Sequence, residues 1–167
     1  MNYHRDEFYL SSTGYAAGEK YYHSSGSKGG ASNMLCLPSN PELGNKTKSA
    51  SSQLYGTEYD DAKFGSGAYN EDVPCAVCRS TNTSSMIPGK KSCFAGWKKE
   101  YDGIIALGAY LHAASSYIGV DAYLTYTPGW SRNNNDNVIY VTAMKCGSLP
   151  CPPYKDNLEV FCVVCSK

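Results

Sequence analysis

Four of the chain's eight cysteines lie in one stretch, Lys145 to Cys165, KCGSLPCPPYKDNLEVFCVVC. Its last part, Glu159 to Cys165, is echoed by Asp72 to Cys78, DVPCAVC, so a Cys-x-x-Cys pattern closes each half of the chain. In an extended strand, residues three apart point to opposite faces. Cys75 and Cys78, like Cys162 and Cys165, therefore reach different partners. Eight cysteines allow roughly a hundred pairings, and the sequence selects none of them. The expectation is that Cys36, Cys75, Cys78, Cys93, Cys146, Cys151, Cys162 and Cys165 all enter disulfides. A four-thiolate zinc site from Cys75, Cys78, Cys162 and Cys165 is the weaker reading, because it leaves four cysteines unexplained and spaces its two pairs far wider than zinc knuckles do. A redox couple lacks the strand-to-helix setting of the thioredoxin kind.

Composition shows why staples are needed. Leu, Ile, Val and Phe make up 27 of 167 residues, about 16%, under the roughly 20% below which disorder becomes plausible. The 15 basic and 15 acidic residues cancel, so charge repulsion does not hold the chain open. Fifteen tyrosines bury large area when their hydroxyls find partners. A disulfide adds typically about 2 to 4 kcal/mol, so a few of them rival a domain's whole net stability of roughly 5 to 15 kcal/mol. Disulfides imply an oxidising compartment, hence a secreted, extracellular protein. The sequons at Asn45 and Asn82 agree with that setting. The opening Met-Asn-Tyr-His-Arg-Asp-Glu has no apolar core, so the expectation is either a mature or trimmed form with an added Met or a chain that does not enter that compartment. No apolar run approaches the ~18 residues of a membrane span, and neutral charge gives no electrostatic reason to bind nucleic acid.

Short β-branched and aromatic runs separated by turn signals predict an all-β or β-rich fold with much irregular structure. The clearest strand is Val138 to Thr142; others are read at Asn33 to Pro38, Gln53 to Tyr59 and Val73 to Cys78. The apolar run Gly103 to His112 has helical periodicity. Against that, the spacing of Gly14, Tyr21 and His23 recurs as Gly103, Tyr110 and His112, and the earlier copy is poor helix material. Tyr55 likewise matches Tyr140. The organisation expected is an internal duplication packed as one disulfide-stapled domain: residues 1–79, a polar linking segment over 80–92, and residues 93–167.

Taken together, Gly14-Tyr-Ala-Ala-Gly18, Gly29 to Pro38 (GGASNMLCLP), Leu54 to Tyr59 (LYGTEY), DVPCAVC, Met86-Ile-Pro-Gly-Lys90, Cys93-Phe-Ala-Gly-Trp97, Cys146 to Tyr154 (CGSLPCPPY) and Cys162-Val-Val-Cys165 resemble the non-collagenous domain of sponge short-chain collagens and the similar collagen-free secreted proteins of marine invertebrates. The resemblance covers nearly the whole chain and implies an extracellular, non-enzymatic structural or matrix protein. No Gly-x-y repeat is present, so no triple helix is implied. Family members carry a cysteine before the first Gly-Tyr and another near the position of Gly119; both are missing here. A bridge between those two in relatives would explain their joint loss. The histidines that relatives tend to carry before Val-Pro-Cys are replaced by Tyr69 to Asp72.

No catalytic motif stands out: there is no Gly-x-Ser-x-Gly and no His-Glu-x-x-His, and Ser25-Gly-Ser-Lys28 lacks the motifs that accompany Ser-x-x-Lys. The protein is read as a non-enzyme without cofactor or metal. Asp60, Asp61, Asp121 and Asp136 fall in no calcium-loop pattern, and His23 and His112 read as a repeated structural hydrogen bond. Flat aromatic faces with polar rims serve protein interfaces and sugar rings alike. Tyr21, Tyr22, Tyr55, Tyr59, Tyr110 and Tyr140 are the candidate surface, with Tyr117, Tyr123 and Tyr126 beside them. Two functions follow: self-association or binding to matrix components, or a soluble lectin with one sugar site per half that takes glycans.

Overall fold

The computed structural model describes residues 4–5, 8–21, 32–44, 52–109, 111–128 and 133–167. The described strands are β1 (His4–Arg5), β2 (Phe8–Gly18), β3 (Leu35–Pro38), β4 (Tyr55–Tyr59), β5 (Pro74–Ser80), β6 (Ser84–Pro88), β7 (Lys98–Leu107), β8 (Ile118–Asp121), β9 (Asn137–Val141) and β10 (Phe161–Ser166), with one 3-10 turn at Ala62–Phe64. All ten join one curled sheet. The order is β1-β2-β4-β9-β7-β10-β6, with β3 and β5 on β2 and β8 on β7. The β-rich expectation therefore holds, and the helical periodicity of 103–112 does not produce a helix among the described residues. Gly103, Ile105 and Ala106 are buried, and Ile104 is half-buried between them. A strand covered on both faces reads as a continuous apolar run that periodicity alone does not separate from a helix.

The first and second halves share the sheet through β4 and β9, which run parallel with Thr57 opposite Asn137 and Tyr59 opposite Ile139. The segment read as a polar linker carries β6, which pairs with β10 through Ile87 opposite Val163. It is thus a strand of the sheet, made possible by Met86 and Ile87 within a Ser/Thr-rich surround.

Hydrogen bonds recur at matched positions of the two halves. Ala16 N–H donates to Val73 O at 2.9 Å, and Ile105 N–H to Val160 O at 2.8 Å. Val73 N–H donates to Thr57 O at 2.9 Å, and Val160 N–H to Thr142 O at 3.0 Å. Tyr59 N–H donates to Glu71 O at 3.0 Å, and Met144 N–H to Leu158 O at 2.8 Å. Just past these bonds, Asn70 and Asn157 both adopt left-handed φ, 61° and 64°, a conformation asparagine tolerates better than most residues. Two glycines answer a matched demand for space: a Cβ on Gly14 would lie 1.7 Å from Leu37 O, and one on Gly103 would lie 1.8 Å from Val120 O.

The core mixes alanines with a few β-branched aliphatics and one tyrosine, in keeping with the scarcity of large aliphatics. Ala16, Tyr59, Ala68, Val73, Ala106, Val120 and Ile139 are buried together. Three disulfides reinforce it. Cys36–Cys75 ties β3 to β5, the two strands that both reach Gly14 and Tyr15 of β2, and Cys93–Cys165 ties the approach to β7 to β10. Cys146–Cys151 closes a local loop. They span 39, 72 and 5 residues, so the first two restrict the unfolded chain more than the third. Such bridges belong to an oxidising environment.

The expectation that all eight cysteines pair is corrected at two of them: Cys78 is exposed and free, and Cys162 is buried and free. The reason is what faces them. Cys78 lies opposite Leu10 in the β2–β5 register, and Cys162 packs against Gly119, so neither meets a second sulfur it could bond. Because Cys75 and Cys165 are bridged elsewhere, the four-thiolate zinc arrangement does not form.

Candidate functional site

Around the β4–β9 seam the chain gathers aromatic rings and charges from distant segments. The His112 ring lies 4.4 Å from that of Tyr21, tilted at 51°, and 5.5 Å from that of Tyr140, edge-on at 61°. Such offset and edge-on contacts suit the ring quadrupoles. The Tyr140 hydroxyl donates to Asp60 Oδ2. Burial, then that hydrogen bond, pushes the Tyr140 phenol well above its usual range. Lys20 Nζ lies 3.1 Å from Asp136 Oδ1 and 5.3 Å above the Tyr55 ring, while the Tyr55 hydroxyl donates to Gln53 Oε1.

His112 is held by its own turn, since Ala109 N–H donates to its Nδ1 at 3.3 Å. That bond leaves the proton of the neutral ring on Nε2. Burial lowers the His112 pKa, and the weaker pull of Asp60 opposes it, so the ring is neutral at pH 7. The structural hydrogen bond expected of His112 is present. His23, its proposed counterpart, lies outside the described residues.

The asparagine run beside this cluster does more than turn the chain. Asn134 and Asn135 N–H groups donate to Glu58 Oε1 and Oε2 at 3.0 and 3.1 Å, and Asn133 and Asn135 take φ of 62° and 51°. Glu58 is buried, and a buried carboxylate needs such donors. The turn thereby becomes part of the β4–β9 seam and fixes Asp136 beside Lys20. Sequence reasoning named Asp136 only as a possible oxygen ligand and missed Glu58 altogether. Asparagines tolerant of left-handed φ were the available signal.

Of the predicted surface residues, Tyr21, Tyr55 and Tyr140 come together here. Tyr59 does not belong to it: at 3% exposure it is core, its ring 4.9 Å from that of Phe64 and tilted at 56°, with its hydroxyl donating to Thr125 O at 3.1 Å. It falls on the inward face of β4, where a chain short of Leu and Ile fills its core with an aromatic ring. Tyr22, Tyr110 and Asn45 lie outside the described residues. Asn82 is exposed in the turn between β5 and β6.

A second aromatic region borders β8. Tyr117, Tyr123 and Tyr126 are 66%, 80% and 44% exposed, and they precede and follow a strand whose sole strand partner among the described residues is β7. Among the described residues β1, β3 and β5 likewise pair with β2 alone, and β6 pairs with β10 alone. It ends at Pro88, which offers no N–H to a further strand, and proline is a common device for blunting an edge.

No protein-family model matches the chain, and no curated protein or solved structure is significantly similar to it.

Proposed function

We propose that this chain is a secreted, non-enzymatic structural protein that associates with itself or with matrix components, and that its sheet consists of two copies of one strand unit. The reading rests on one observation above all: three exposed tyrosines border the strand edge of β8. Unpaired strand edges accept further strands, and aromatic residues dominate interfaces because they bury large area at small entropic cost. The matched bonds around Ala16 and Ile105, Thr57 and Thr142, and Glu71 and Leu158 support duplication. The resemblance to non-collagenous matrix domains points the same way, and the three bridges suit extracellular conditions.

Sedimentation velocity of the oxidised protein over a wide concentration range tests this. The expected result is concentration-dependent assembly that a Y117S/Y123S/Y126S variant loses. A wild-type chain that stays monomeric throughout, and that retains no isolated matrix component, would contradict the reading.

The second reading, a lectin, is favoured by the Tyr21–His112–Tyr140 cluster with Asp60, Lys20 and Asp136 at its rim. Carboxylates and rings of this kind bind sugar hydroxyls and sugar faces. Selective retention on a glycan panel, competed by free sugar and abolished by Tyr140→Ala, would establish it in place of assembly.

A further inference from the structure

A partly open cavity of about 440 Å³ lies between the β2–β3–β5 strands and β8, within the range typical of small-molecule pockets. Its wall is mainly apolar, with Leu35, Val73, Ile118 and Leu124 among the contributors and the Cys36–Cys75 bridge on one side. The charged groups among the described lining residues are Glu100 and Asp121, with no lysine, arginine or histidine. Tyr59, Tyr101 and Tyr123 add three aromatic rings. Glu100 is only 3% exposed. Its Oε1 accepts from the Ser166 hydroxyl at 2.5 Å, while Oε2 has no partner among the described residues. Asp121 Oδ1 accepts from Tyr123 N–H at 2.9 Å.

An apolar chamber with two carboxylates, three tyrosines and no basic group is complementary to one kind of guest. From this we infer that the cavity binds a small apolar primary amine in its ammonium form. The hydrocarbon body fills the aliphatic wall and the ammonium supplies charge to the acids. A cation near aromatic faces gains further attraction. Glu100 Oε2 is sealed from solvent, so the ammonium pairs with the half-buried Asp121 and gains from Glu100 through its negative charge alone. A hydrocarbon of the same shape fills the wall without that gain, and an anion meets two like charges.

Calorimetric titration of the oxidised chain with naphthylmethylamine, methylnaphthalene and naphthoate tests the inference. The amine should bind saturably, one per chain, roughly tenfold to a hundredfold tighter than the neutral hydrocarbon, the range expected for hydrogen bonds to a charged group. Naphthoate should not bind. An E100Q/D121N double variant keeps an acceptor for Ser166 and for Tyr123 N–H. It should bring amine affinity down to that of methylnaphthalene and leave methylnaphthalene binding unchanged, which also reports that the fold persists. Ala76 is exposed and lines the cavity, so Ala76→Trp should obstruct entry and weaken both guests. Equal affinity for amine and hydrocarbon, amine binding indifferent to Ala76→Trp, or no saturable binding at all would each overturn the inference.

Discussion

Replacing Gly119 with cysteine should create a fourth bridge. A Cβ built at Gly119 lies 3.1 Å from Cys162 Sγ. In a disulfide the Cβ of one residue sits about 3 Å from the sulfur of the other, a distance fixed by an S–S bond of about 2.05 Å. Gly119 needs no left-handed backbone, since its φ lies outside the range that only glycine favours. The same Cβ would meet Met86 Sδ at 3.1 Å and the Tyr101 hydroxyl at 3.4 Å, and a thioether at the end of a flexible chain yields readily. The new bridge would close a loop of about 40 residues, which the chain-entropy account values at about 4 kcal/mol before any strain. With Met86 displaced, a net gain of about 2 to 4 kcal/mol is expected, or roughly 4 to 16 °C in Tm for a domain of this size. Thiol titration in denaturant reads the chemistry directly. The wild type should show two thiols, Cys78 and Cys162, and G119C one. A Gly119→Ala control supplies the Cβ without the bond and should gain nothing. Three thiols in G119C, or one thiol without a rise in Tm, would refute the reasoning. The location is itself informative, because Gly119 faces Ile105 as Cys36 faces Ala16, and Cys162 faces Gly103 as Cys75 faces Gly14. A cysteine at 119 would therefore face Cys162.

Gly14→Ala should cost at least about 3 kcal/mol in urea denaturation, beyond ordinary overpacking, because its Cβ would meet the backbone oxygen of Leu37 rather than a movable side chain. A loss below about 1 kcal/mol would show that β3 can withdraw from β2. In native buffer only Cys78 should react with a thiol reagent, and slowly, since burial raises the pKa of both free thiols and Cys162 is fully enclosed. Rapid alkylation of Cys162 would contradict the packing. Burial holds the folded-state pKa of His112 below its ordinary 6.5, so the stability it contributes is fully present above pH 6.5. It is lost as pH falls toward the folded value, because the unfolded chain takes up the proton first. His112→Phe keeps the ring contacts with Tyr21 and Tyr140 and should flatten the fall in stability on that acid side; an unchanged slope would assign the loss to other groups.

The sequence disclosed the strands where its pattern was local. Val138 to Thr142 reads as a strand and forms β9, and the Cys-x-x-Cys segments form β5 and β10. The spacing that matched Gly14 with Gly103 also pointed to two positions where strands approach too closely for a side chain. Other features depend on pairing that no local pattern encodes. β6 reads as a linker because Ser84 and Ser85 are polar, yet its place is set by β10. Gly103 to Leu107 carries a helical period because small and large apolar residues serve two covered faces at once. Pairing of Cys78 and Cys162 was misjudged because the even count of eight cysteines says nothing of what each faces. For the surface, residue type brought Tyr21, Tyr55 and Tyr140 to notice but did not separate them from Tyr59, whose burial follows from its direction on β4. Glu58 and Glu100 were invisible as singular residues, since a glutamate's burial depends on the distant N–H and hydroxyl groups of Asn134, Asn135 and Ser166.

The most direct test of association through β8 is backbone hydrogen exchange of the oxidised protein at low and high concentration. The account expects residues 117–126 to gain protection as concentration rises, with β6 unchanged and with no such gain in the Y117S/Y123S/Y126S variant. Exchange across β8 that is the same at every concentration, or protection that appears at β6 instead, would contradict it.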